Sequence, residues 1–153
     1  HSCHGLPDLA SVAFTVSTMD PKPQGSKISY GRGRMVESCK LLPAWRALVK
    51  KTALALNYPI FDGPISLHIV FLFSRPKTHF NSKGLKPDAP YFHTMRPDLS
   101  KIIRSTEDAL QDAKLIHDDA RICLCNCSKR YVLADESPGA LITLQSLPNL
   151  PAT

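Results

Sequence analysis

The sequence predicts an α+β fold, a mixed β-sheet with two main helices, and three observations carry that prediction. Residues 65–73, ISLHIVFLF, form an apolar, β-rich run bounded by turn residues. Two other stretches, 43–57 and 99–113, repeat their apolar residues at helical spacing. Over 153 residues, 43% hydrophobic and 21% charged residues suit one globular domain. A loose leader is expected over 1–8, a single domain over 9–147 and a tail over 148–153.

Taken in order, Leu9 to Thr18 reads as a strand because Val12, Phe14 and Val16 alternate. Asp20 to Gly25, DPKPQG, breaks the chain. Ser26–Tyr30 and Arg34–Ser38 suit a hairpin around Gly31-Arg-Gly33, whose glycines tolerate a tight turn. Pro43 suits the first turn of a helix that runs to about Asn57. Its expected buried stripe comprises Ala44, Trp45, Leu48, Val49, Ala55 and Leu56. The run 65–73 reads as a central strand, with His68 as a core residue. Ser74 to Pro97, with four prolines, reads as a long loop. Leu99 to Ala113 is the second helix, with Leu99, Ile102, Ile103, Ala109, Leu110 and Ala113 on its core face. Arg121–Leu133 and Ala140–Leu147 are expected to pair as a final hairpin.

No apolar run approaches the ~20 residues that span a bilayer, and no signal-peptide pattern opens the chain. Of the five cysteines, Cys123, Cys125 and Cys127 alternate along a strand. A flat C-x-C-x-C is a poorer zinc chelator than a C-x₂-C turn, so these read as buried or half-buried core thiols. His1, Cys3 and His4 read as part of the leader rather than as a metal site.

The net charge of +6 conceals an asymmetry. Segment 98–119 holds six acids (Asp98, Glu107, Asp108, Asp112, Asp118, Asp119) against Lys101, Arg104 and Lys114, a local net of −3; the sixteen bases and seven acids elsewhere leave +9. Basic domains bind polyanions, nucleic acid first. Acids converging beside a basic surface suit metal-assisted phosphodiester hydrolysis, since Mg²⁺ prefers carboxylate oxygens. Caps and solvated helix charges give the same arithmetic. Asp98 is placed to cap the second helix.

Arg96-Pro-Asp-Leu-Ser-Lys-Ile-Ile-Arg104, Asp108-Ala-Leu110, Asp118-Asp-Ala-Arg-Ile122 and Lys129-Arg-Tyr131 follow one another at a characteristic spacing. This order resembles the RusA family of Holliday-junction resolvases, whose pattern is approximately K/R-P-D-x-D-N-x-x-K, D-A-L, D-D-x-x-I and K-x-Y. The likeness spans about Ala13 to Leu144. It implies a RusA-like fold and a homodimeric, Mg²⁺-dependent endonuclease (Mn²⁺ a plausible substitute) that nicks four-way DNA junctions symmetrically in recombination and repair. It further implies a phage or prophage type, acting in the cytoplasm at the nucleoid. By position, Asp98 and Asp119 match catalytic aspartates, Arg104 stands where the family usually has lysine, and Lys129 matches a lysine of the following strand. Asp98, Glu107, Asp118 and Asp119 are the candidate metal ligands.

The family's second aspartate falls on Ser100 and its asparagine on Lys101. Glu107 lies about 20° from Ser100 around the helix axis and about 10.5 Å along it, so it is a candidate replacement; an exposed Glu beside a degraded site is the alternative. Arg104 is assigned charge stabilisation at phosphate, with a helix-surface ion pair as the alternative. The expected DNA contacts are Lys22, Lys27, Arg32, Arg34, Arg75, Lys77, Lys83, Lys86, Arg96 and Lys101. A junction-binding protein that has lost cleavage through Ser100 is the second functional reading.

Overall fold

The computed structural model describes residues 9–23, 27–30, 34–37 and 42–153. The leader 1–8, with His1, Cys3 and His4, and the turn Gly31-Arg32-Gly33 lie outside the described residues. The elements are β1 (Ser11–Ser17), β2 (Lys27–Tyr30), β3 (Arg34–Glu37), α1 (Leu42–Ala55), β4 (Ile65–Phe73), β5 (Phe80–Asn81), β6 (Gly84–Leu85), α2 (Leu99–Asp112), β7 (Ile122–Tyr131) and β8 (Gly139–Ser146). Four strands form one mixed sheet in the order β1-β8-β4-β7, and β2 pairs with β3 as expected. No helix among the described residues is long and apolar enough to cross a membrane.

β4 is central, as its apolar run demands, with β8 antiparallel on one side and β7 parallel on the other. Ile65, Leu67, Ile69 and Phe71 are fully buried, each contributing about 1.5–3 kcal/mol by leaving water. His68 points the other way and is exposed, because a strand alternates faces. The expected core histidine is thereby corrected.

The expected β7–β8 hairpin is also corrected, because β4 lies between the two strands. A parallel β4–β7 pair needs a crossover, and α2 supplies it. The connection 132–138 then passes the end of β4, where Val132 N donates to the Phe73 carbonyl at 2.9 Å. It is fixed by Arg130, whose guanidinium donates twice to the Glu136 carboxylate at 2.7 and 2.8 Å. Those hydrogen bonds hold the Glu136 pKa down to about 2. The connection re-enters the sheet at Gly139, where φ is +152° and a Cβ would run into the Val16 carbonyl.

The α1 stripe is narrower than its sequence suggests: Trp45, Val49 and Ala53 are buried, whereas Ala44 and Ala55 are exposed. Trp45 Nε1 donates to Thr106 Oγ1 at 3.2 Å, joining α1 to α2 inside the core. On α2, Ile102, Ala109 and Leu110 are buried as expected, together with Ser105 and Thr106. These two hydroxyls escape an apolar count because each is satisfied locally: Ser105 Oγ donates to the Lys22 carbonyl at 2.6 Å and Thr106 Oγ1 to that of Ile102 at 2.8 Å. Arg46 of α1 pairs with Asp112 of α2 at 3.2 Å on the surface.

The loop 74–97 has structure of its own. It contains a 3₁₀ turn (Lys77–His79), the β5–β6 hairpin, and a stretch in which Phe92 bridges Arg130 on the outer edge of β7. Its prolines exclude long strands without preventing short pairings on a free sheet edge.

Candidate active site

Asp98 occupies the N-cap position of α2 in extended backbone, yet its side chain makes no cap hydrogen bond. The carboxylate is left exposed, with Lys101 Nζ 4.0 Å away. The chain leading into it is held from β7, where half-buried Lys129 donates through Nζ to the carbonyls of Met95 at 2.6 Å and Pro97 at 2.7 Å. Burial lowers the Lys129 pKa and the neighbouring Asp98 carboxylate works against that. The ammonium thus fixes the backbone that delivers Asp98 and tempers its charge.

Further along α2, Glu107 is half-buried beside the sheet. Burial first, then the carboxylates of Asp119 and Asp108, push its pKa up to about 7, while Arg104 pulls the other way. Asp119 opens the 3₁₀ turn Asp119–Arg121, which leads directly into β7. Asp118 caps that turn, its Oδ1 accepting from Ala120 N at 2.8 Å. Cys127, on the helix side of β7, is raised to about 12 chiefly by burial and by its hydrogen bond with Cys125, with Glu107 adding to the shift. Cys125 and Cys127 sulfurs lie 3.3 Å apart. Cys127 is half-buried against the core as expected, whereas Cys123 and Cys125 are exposed, which corrects the expectation for those two: β7 is an edge strand and α2 covers only part of it.

The structure therefore brings Glu107 together with Asp119, and Asp98 with Lys129. Among the described residues, no three His, Cys, Asp or Glu side chains stand close enough together to hold a metal ion. Ser100 is exposed near the start of α2 and Arg104 is exposed one turn further on. Glu107 faces the acid that precedes β7 because α2 runs back along the sheet toward the start of that strand.

A raised carboxyl pKa stabilises the folded state fully below the ordinary carboxylate range, and that contribution is lost as pH rises through about 7. Glu107→Gln protein should accordingly melt like the wild type at about pH 4 or below and at a higher temperature at about pH 8.5. Differential scanning calorimetry at the two pH values checks this, and equal melting temperatures at the higher pH would refute it.

The basic residues divide. Lys77, Lys83, Arg96 and Lys101 are exposed, and Lys22 and Lys86 are half-buried. Arg75 serves as a strut: Nη1 donates to the Pro90 carbonyl at 2.7 Å, Nε to that of Val132 at 3.2 Å, and the guanidinium lies 5.2 Å from the Tyr131 ring centre. Lys27 and Arg34 belong to the paired strands β2 and β3, and Arg32 lies outside the described residues. Two features escape sequence reasoning: the Arg130–Glu136 pair, hidden in a turn, and the strand-like Tyr91-Phe-His93, whose β-rich composition is its one signal.

A family model described as endodeoxyribonuclease RusA matches residues 19–145. No curated protein matches the chain.

Proposed function

The chain belongs to the RusA endodeoxyribonuclease family, and on that premise we propose that it resolves four-way DNA junctions by paired, Mg²⁺-dependent nicks as a homodimer. Membership itself implies an endonuclease that resolves Holliday junctions. The observation that carries the finer reading is the half-buried Glu107 carboxyl, raised to about 7 with Asp119 among the causes. A carboxyl raised by a neighbouring carboxylate forms with it a donor pair suited to a hard cation. Mg²⁺ is commonly held by one or two carboxylates, with water and substrate phosphate completing its shell.

On this reading Glu107 and Asp119 would hold the cation, with Asp118, next in the chain, and Asp98, at the start of α2, as the further carboxylates expected to serve it. When bound, the cation supplies an activated water and neutralises charge on the phosphate. Arg104 clamps a phosphate oxygen through its planar guanidinium. Lys129 holds the Met95 and Pro97 carbonyls and so positions Asp98. Exposed Lys77, Lys83, Arg96 and Lys101 track the DNA backbone, which sets register rather than sequence.

Ser100, together with the absence of a three-ligand cluster among the described residues, favours a second reading in which junctions are bound without cleavage. Incubating wild-type protein with a labelled synthetic four-way junction, with and without Mg²⁺, separates the two. Symmetric nicks that need Mg²⁺ are expected. Tight junction binding with no nicks would select the second reading, and equal affinity for linear duplex would remove both.

A further inference from the structure

The outer edge of β7 carries exposed apolar side chains that the catalytic reading does not use. Tyr91, Phe92 and Met95 are 49%, 60% and 66% exposed, within seven residues of Asp98. They are not on a loose loop. Tyr131 N donates to the Tyr91 carbonyl at 2.9 Å, His93 N to that of Lys129 at 3.3 Å, and Phe92 bridges Arg130. The rings themselves are fixed. Tyr91 and Phe92 meet edge to face at 4.9 Å, and the Arg130 guanidinium, locked by Glu136, lies 5.5 Å from the Tyr91 ring centre. Beneath them, buried His93 stacks on Phe73 at 3.9 Å.

An aromatic pair held rigidly in water forfeits its hydrophobic gain until something covers it. The surroundings indicate what does. From 75 to 101 the chain carries six cations and two acids, so the covering partner is anionic. A partner with dense negative charge and flat apolar faces is a nucleic acid presenting unstacked bases. In continuous duplex those faces are occupied by neighbouring bases; at a branch point they are cheap to expose.

We propose that Phe92, buttressed by Tyr91, is a stacking ledge for a base freed at the branch point, and that it gives the protein its preference for branched over linear DNA. This rests on the junction-resolving reading and deepens it. Lys129 links the ledge to the site: its own carbonyl receives His93 N, and its ammonium holds the chain entering Asp98. A base seated on Phe92 therefore registers the strand against the carboxylates.

The test measures dissociation constants in Ca²⁺, so that DNA stays uncut, for a four-way junction and a linear duplex of the same arm sequences. A 2-aminopurine placed at the branch point reports stacking. Phe92→Ala is expected to weaken junction binding about tenfold, leave duplex binding unchanged and lose the 2-aminopurine quench, with Phe92→Trp restoring both. Unchanged junction affinity, or an equal loss on junction and duplex, overturns the ledge. So does a halved sedimenting mass for Phe92→Ala, which would make this face an interface between copies. A wild type without junction preference sinks the junction-resolving reading as well, whereas a wild-type preference retained by Phe92→Ala sinks the ledge alone.

Discussion

Asp119→Asn protein is expected to bind a four-way junction and to nick it at least about a hundredfold more slowly than wild type, because on the proposed reading several kcal/mol of charge stabilisation at the phosphate go with the carboxylate. Asp119 is exposed, so the fold should lose little; surface changes of this kind usually stay within about 0.5 kcal/mol. The variant also removes the Asp119 charge that helps to raise Glu107. The Glu107 pKa should fall toward the ordinary range, leaving less of the alkaline penalty on stability. Glu107→Gln should slow nicking in the same direction. Single-turnover nicking on a junction, with binding measured in parallel, checks these expectations. Wild-type nicking by Asp119→Asn would remove the proposed site.

Trp45→Ala is expected to cost about 3–5 kcal/mol, the loss typical of emptying a buried large aromatic. Trp45 is fully buried and is the side chain through which α1 grips α2. A domain of this kind has about 5–15 kcal/mol in total, so the variant approaches unfolding. Trp45→Phe keeps most of the volume and forfeits the hydrogen bond to Thr106, which should cost about 1 kcal/mol. Thr106 immediately precedes Glu107, so the same contact steadies the turn that carries the candidate site. Urea unfolding of the two variants separates packing from hydrogen bonding. A loss below about 1 kcal/mol for Trp45→Ala would contradict this role.

The sequence showed β4 to the residue, both helices to within about two residues, and the acidic segment that surrounds α2. These features are local: apolar period, caps and charge can be read without knowing what lies opposite. Long-range pairing was less legible. β7 and β8 have the length and spacing of a hairpin, and only the insertion of β4 between them explains why they do not form one. The same rearrangement leaves β7 as an edge strand, which accounts for exposed Cys123 and Cys125 and for the edge that Phe92 joins. Helical geometry put Glu107 on the same flank as Ser100. It could not give the turn before β7 that sets Asp119 against it, nor the Lys129 ammonium that holds the entry to Asp98. Arg75, expected on DNA, is instead bound to two carbonyls, a role that charge alone cannot distinguish.

The central claim is that Glu107 and Asp119 share one divalent cation. Its most direct test is a ¹³C NMR titration of the Glu107 carboxyl, first without metal and then in saturating Mg²⁺. The account predicts a midpoint near 7 without metal, and a clear fall when Mg²⁺ is added, because a bound cation favours the charged carboxylate. An ordinary carboxylate midpoint without metal, or a raised midpoint that Mg²⁺ leaves where it was, would contradict it.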